Sequence, residues 1–246
     1  MVNERIIEQA AAYKKDARDL FERAVAALVA LGFKHTSQGA NFLWSSNPTL
    51  DAEANKILRS MSDEAQARAK ARALKIIESL EWEGGEYAWE DATNTDDVTI
   101  LYRFDQQASF LKELMQVWLA LAFVNGLTQS YLRISVIRYL GNPYASPLWA
   151  GLPRGLVSYG KGYARNLIEQ IALIGQDGII STVRYAEWLD AMNKDAKYWI
   201  WRRGSNFKCE ECESQAGMAF PMDVRFDQMH ARCMCYPEYH YEDLEV

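Results

Sequence analysis

The 246-residue sequence predicts a mainly α fold: an elongated N-terminal part built of long helices, followed by a small C-terminal α+β module. Three observations carry this. Apolar residues recur at alternating spacings of three and four through the first 34 positions, the period of a one-sided helix. Ala, Arg, Lys and Glu, all strong helix formers, fill Asp63 to Lys75. All four cysteines, Cys209, Cys212, Cys233 and Cys235, lie within 27 residues near the C-terminus, and none lies in the first 208.

Composition sets the outer bounds. Apolar residues make up 49% of the chain and charged residues 24%, which excludes wholesale disorder. The net charge is −6, so any nucleic-acid contact needs a local basic face. The most apolar stretch, Leu114 to Leu127, is about 14 residues and contains Gln116 and Asn125, against about 20 needed to cross a bilayer. No membrane association is expected. The opening Met-Val-Asn-Glu-Arg lacks the basic-then-apolar pattern of a signal peptide, so a thiol-reducing cytosol is the expected site of synthesis.

A helical domain is expected over residues 1–150. Its first helix spans about 3–33, with Ile6, Ala10, Tyr13, Ala17, Leu20, Ala24, Leu28 and Leu31 as the apolar stripe and Gly32 as the stop. Turn residues Ser37, Gly39, Ser45, Ser46, Asn47 and Pro48 precede a second helix over about 50–80. Its cations Arg68, Lys70, Arg72 and Lys75 are not confined to one face and read as solvated charges, with a phosphate-facing role as the alternative. Residues 78–97 then carry eight acids and no Lys or Arg, and Gly84–Gly85 breaks the helix. This reads as an exposed acidic loop. Its aromatics Trp82, Tyr87 and Trp89, with Trp199 and Trp201 further on, are candidate anchors for a partner protein. Third and fourth helices are expected over about 98–125 and 127–140, with Leu114–Val124, apolar nearly all round, as the buried centre.

Residues 151–200 read as a linker followed by a helical pair. From Gly141 to Gly162 there are three prolines and five glycines, but neither the preceding strand nor the Gly-Lys-Ser/Thr ending of a phosphate loop. Helices over about 163–174 and 180–197 are expected to turn at Gly175 and Gly178. The last segment, 201–246, is the Cys/His module.

That module reads Cys209-x2-Cys212, a gap of 17 residues, then His230-x2-Cys233-x-Cys235. Cys-x2-Cys is the spacing with which a tight turn aims two thiolates at one zinc ion, and a second group of ligands closes a small loop around it. Cys209, Cys212, His230, Cys233 and Cys235 offer five ligands for four tetrahedral positions, with His240 as a sixth candidate. Free or structural thiols and a redox pair are the alternatives. Five soft ligands close together favour a closed, structural zinc over a catalytic one with an open position. No catalytic residue set is identified, and an enzyme is not expected.

The stretch from Lys197 through Trp199, Trp201, Cys209, Cys212 and Gly217 to Phe220, followed by His230, Cys233 and Cys235, resembles the C-terminal module of the phage Mu F-like head morphogenesis proteins, the minor head (minor capsid) proteins of tailed phages. Gly160, Gly162 and Ala164 before it are similar in outline, and the resemblance covers roughly residues 156–240. Gln228 and Met229 stand where that family often carries prolines, and Arg184 and Glu187 echo its Arg-Thr-Glu segment. The resemblance implies a virion or procapsid component in the phage head, associated with the portal and the major capsid protein during assembly, with contact to packaged DNA in some members. A zinc-stabilised DNA-processing nuclease and a non-viral zinc-ribbon adaptor that binds proteins are the competing readings.

Overall fold

The computed structural model describes residues 2–35, 39, 41–95, 98–141, 167–204, 209–226 and 233–243. Its order is α1 (Val2–Phe33), a 3-10 turn (Trp44–Ser46), α2 (Pro48–Glu78), α3 (Gly85–Thr93), β1 (Asn94–Thr95), β2 (Val98–Thr99), α4 (Ile100–Val124), α5 (Gln129–Gly141), α6 (Leu167–Asn193), β3 (Tyr198–Arg202), α7 (Glu210–Gln215), β4 (Ala219–Pro221) and β5 (Tyr236–His240). The fold is mainly α with a small C-terminal α+β module, as the sequence predicts. None of the described helices is long and apolar enough to cross a membrane.

The residues group into two units, neither a continuous stretch of chain, so the expected segments 1–150, 151–200 and 201–246 do not coincide with them. One unit comprises Met1–Tyr13, Ala69–Thr99 and Gly175–Val246, the other Lys14–Arg68 and Ile100–Ile174.

In the second unit, helical periodicity turns directly into packing. Of the predicted α1 stripe, Ala17, Leu20, Ala24, Leu28 and Leu31 are buried here, while in the first unit Ile6 and Tyr13 are buried and Ala10 is half-buried. Gly32 does not stop α1. The helix continues through it to Phe33, and a Cβ on Gly32 would lie 2.4 Å from a methyl of Leu119 on α4. Entry into α2 follows local rules: the Asn47 side-chain oxygen accepts the backbone N–H groups of Thr49 (3.0 Å) and Leu50 (3.2 Å), and Pro48 occupies the first helical position, where its missing N–H costs nothing. The Trp44 indole is buried and donates to the Lys112 carbonyl at 2.9 Å. Phe104, Leu111, Leu114, Met115, Trp118 and Leu119 form the buried side of α4, whereas Val117 and Val124 are exposed. Arg68 of α2 meets Glu64 (2.5 Å) and Asp16 (3.6 Å).

In the first unit, Arg72 donates to Gln9 (2.9 Å) and Lys70 lies 3.8 Å from Glu90. With Arg68, these cations are held by neighbours of this chain rather than forming a phosphate-facing stripe.

The first unit also corrects two expectations. The acidic segment is not a loop throughout: its second half folds as α3, then the antiparallel β1–β2 ladder with Asn94 opposite Thr99. Trp89 is buried in α3, Trp82 is half-buried, and Tyr87 is 75% exposed. The helical pair is one helix. Gly175 and Gly178 lie inside α6, and Gly175 serves a close approach instead of a turn, because a Cβ there would sit 2.0 Å from Tyr13 Cε1 on α1. Tyr13 is fully buried and Gln176 donates to the Ala10 carbonyl at 2.9 Å, so neither helix has room to retreat. Gly175→Ala is expected to cost about 3 kcal/mol by overpacking, and Tyr13→Ala in the same chain to recover part of it. Urea denaturation of the two variants checks this.

The C-terminal sheet has the order β4-β3-β5, both pairs antiparallel. Strand β3 alternates with period two: Trp199 and Trp201 point inward, Tyr198, Ile200 and Arg202 outward. Trp199 stacks on Phe220 (4.4 Å between centroids) and donates to the Val224 carbonyl (2.7 Å), and Trp201 lies 4.5 Å from Phe226. Helix α6 covers this region, with the Trp188 indole donating to the Met222 carbonyl at 3.1 Å. Both β3 tryptophans are therefore core residues and, like Trp89, offer no surface to a partner.

Candidate metal centre

The residues around the cysteines fold for local reasons. Cys209 is extended (φ −139°, ψ 112°) and caps α7, its sulfur accepting the Cys212 backbone N–H at 3.5 Å. That bond places Cys212 in the first helical turn, facing inward. Gly217 ends the segment with φ +84°, a left-handed conformation that glycine adopts at little cost, and its N–H bonds the Trp201 carbonyl at 2.9 Å. Strand β4 then pairs with β3. On the far side, Cys233 and Cys235 lead into β5, two residues apart, the spacing that returns side chains to one side of an extended chain.

The result is a group of three sulfurs. Cys212, Cys233 and Cys235 bring theirs within 4.8 Å of one another, and Cys212 and Cys233 are 3.7 Å apart. These residues are only 2%, 1% and 4% exposed, and Trp199, Trp201 and Phe226 belong to the same buried cluster. Three buried cysteines this close are able to hold a metal ion. Among the described residues no carboxylate or imidazole is part of the group.

Without a cation, burial keeps these thiols protonated. Burial pushes the Cys212 thiol far up from its ordinary range, and the neighbouring cysteines add to it. The Cys233 thiol is also raised, chiefly by burial. In such surroundings thiolates are unfavourable unless a cation compensates them, and a bound dication inverts that balance.

The sequence-predicted ligands therefore separate. Cys212, Cys233 and Cys235 converge. Cys209 is outside the three-sulfur group but directly adjoins it through its bond to the Cys212 N–H. His230 lies outside the described residues. His240 is not part of the group: it stacks on Tyr198 (4.7 Å between centroids, 1° between planes), and Tyr198 is on the face of β3 opposite Trp199 and Trp201.

Arg184 and Glu187, visible in the sequence only as an echo of the Arg-Thr-Glu segment, lie beside β5. Arg184 of α6 is 2% exposed, donates to Glu187 at 2.6 Å and to the side-chain oxygen of Asn3, and lies 5.8 Å from the Tyr236 ring at the start of β5. The three-residue spacing of Arg184 and Glu187 was a visible helical signal; their burial against β5 was not.

Comparison of the chain with protein-family models, curated proteins and solved structures finds no match.

Proposed function

We propose that this chain is a structural minor head protein of a tailed phage. In this reading it associates with the portal and the major capsid protein during head assembly, and one structural zinc ion holds its C-terminal module. The observation that carries the reading is the buried thiol group inside an aromatic core. Trp199, Trp201, Cys212, Cys233 and Cys235, which carry much of the resemblance to head morphogenesis proteins, make up most of one buried cluster. Gly217 forms the turn that joins α7 to β4 of the same module.

Zinc suits the donor set. Four sulfurs about 2.3 Å from a tetrahedral zinc stand roughly 3.8 Å apart, close to the 3.7 Å between Cys212 and Cys233. Cys209 is the nearest candidate for the fourth position among the described residues, with His230 as the alternative. An all-sulfur group packed against indole and phenyl rings favours a structural ion over a catalytic one. A module this small has little core of its own, and a metal supplies the missing stability.

The test is co-expression with a portal protein encoded beside this gene, followed by size-exclusion chromatography and native mass spectrometry. A stable complex with one zinc per copy supports the reading. A zinc-loaded chain that ignores the portal and cleaves DNA would replace it with the nuclease reading, and one that does neither would favour the adaptor.

A further inference from the structure

We infer that Gly204 is a positioning residue for the metal ligands, holding the Cys233–Cys235 segment against the end of β3 at a separation that no other residue allows. The inference rests on the metal reading of the cysteine group. A Cβ built on Gly204 would lie 1.6 Å from the Met234 carbonyl oxygen, 2.4 Å from its carbonyl carbon and 3.2 Å from the Cys235 nitrogen. All three atoms are backbone, so no side-chain rotation relieves the overlap.

The location follows from the sheet. Strands β3 and β5 pair antiparallel, with Tyr198 opposite His240 and Arg202 opposite Tyr236. Two further residues along each chain, that register brings Gly204 opposite Met234. Met234 is the residue between two of the three clustered cysteines.

The usual reasons for glycine do not apply. Gly204 is exposed, and its φ is outside the left-handed region. Close approach to Met234 is what remains. The magnitudes decide the consequence. A methyl at residue 204 requires the Met234 peptide to retreat by more than about 1 Å before reaching an ordinary van der Waals distance. Metal–ligand distances tolerate about 0.2 Å. Because Cys233 and Cys235 flank that peptide, both sulfurs are displaced together.

The experiment is cobalt(II) titration of the full-length chain, wild type and Gly204→Ala, reading the thiolate-to-cobalt absorption and the affinity in competition with a chelating dye. Gly204→Ala is expected to bind cobalt at least about 10-fold more weakly, with a diminished thiolate band. Gly175→Ala, destabilised elsewhere in the same unit, is expected to keep the wild-type spectrum. Should Gly204→Ala not fold, hydrogen exchange on the wild type decides: chelation should deprotect 202–204 together with 233–236. Protection retained at 202–204 while 233–236 opens would overturn the inference, as would equal cobalt affinity and spectrum in wild type and Gly204→Ala. If the wild type takes up no cobalt, the metal reading fails first and the inference with it.

Discussion

Cys212→Ser and Cys233→Ser are each expected to unfold the β4-β3-β5 module while the helices of the other unit stay folded. Each removes a sulfur from a buried group and leaves a hydroxyl among indole and phenyl rings. A structural zinc contributes on the order of 10 kcal/mol of binding free energy, comparable with the whole stability of a typical domain. Losing one of its ligands should therefore cost about 4 kcal/mol or more. Hydrogen exchange followed by mass spectrometry checks this: residues 198–202 and 236–240 should lose protection, and residues 104–119 should keep it. Cys209→Ser is a sharper version. Serine is a better helix cap than cysteine, so the local structure of α7 is preserved while the sulfur is lost. Destabilisation comparable with that of Cys212→Ser identifies Cys209 as a ligand; unchanged stability identifies it as a cap alone.

Arg184→Met is expected to destabilise the chain by about 3 kcal/mol. It removes the guanidinium that compensates Glu187 and leaves a largely buried carboxylate without its charge partner. The effect should depend on pH. Burial raises the Glu187 carboxyl above its ordinary value of 4.5 even with Arg184 pulling the other way. The folded chain therefore keeps this proton to higher pH than the unfolded chain does. The associated stability is fully present below about pH 4.5 and is lost as pH rises through the folded-state value. Without Arg184 that value rises further, so stability should fall more steeply with increasing pH. Glu187→Gln in the Arg184→Met chain should flatten the dependence. Urea denaturation across pH measures both, and a pH dependence like that of the wild type would contradict the assignment.

What the sequence made legible depended on whether a residue's reason was local. The α1 stripe has a local cause and appears in the fold; Asn47 and Pro48, expected as turn residues, cap and open α2 for equally local reasons. Gly175 and Gly178 look like a turn because glycine usually marks one, but the reason for Gly175 is a ring on α1, more than 160 residues earlier in the chain. Gly32 likewise looks like a helix stop, but the close approach of Leu119 is its reason. Trp199 and Trp201 look like interface anchors until β3 is recognised as a strand, whose period of two turns both inward. Helix α3 was hidden by the acids around it, although the burial of Ala88 and Trp89 shows a one-sided helix. The cysteine spacing suggests a metal site, but convergence of Cys212 with Cys233 and Cys235 follows from the sheet that carries them. Gly204 carried no local signal, because the atom that requires it to be glycine belongs to Met234.

The most direct test of the proposed metal brace is native mass spectrometry of the purified full-length chain, with the bound element identified by inductively coupled plasma analysis. The account predicts one zinc per chain, released by a strong chelator together with loss of protection in β3 and β5. A chain that carries no metal, takes up none, and keeps its C-terminal protection after chelation would contradict it, and the three clustered thiols would then be ordinary core residues.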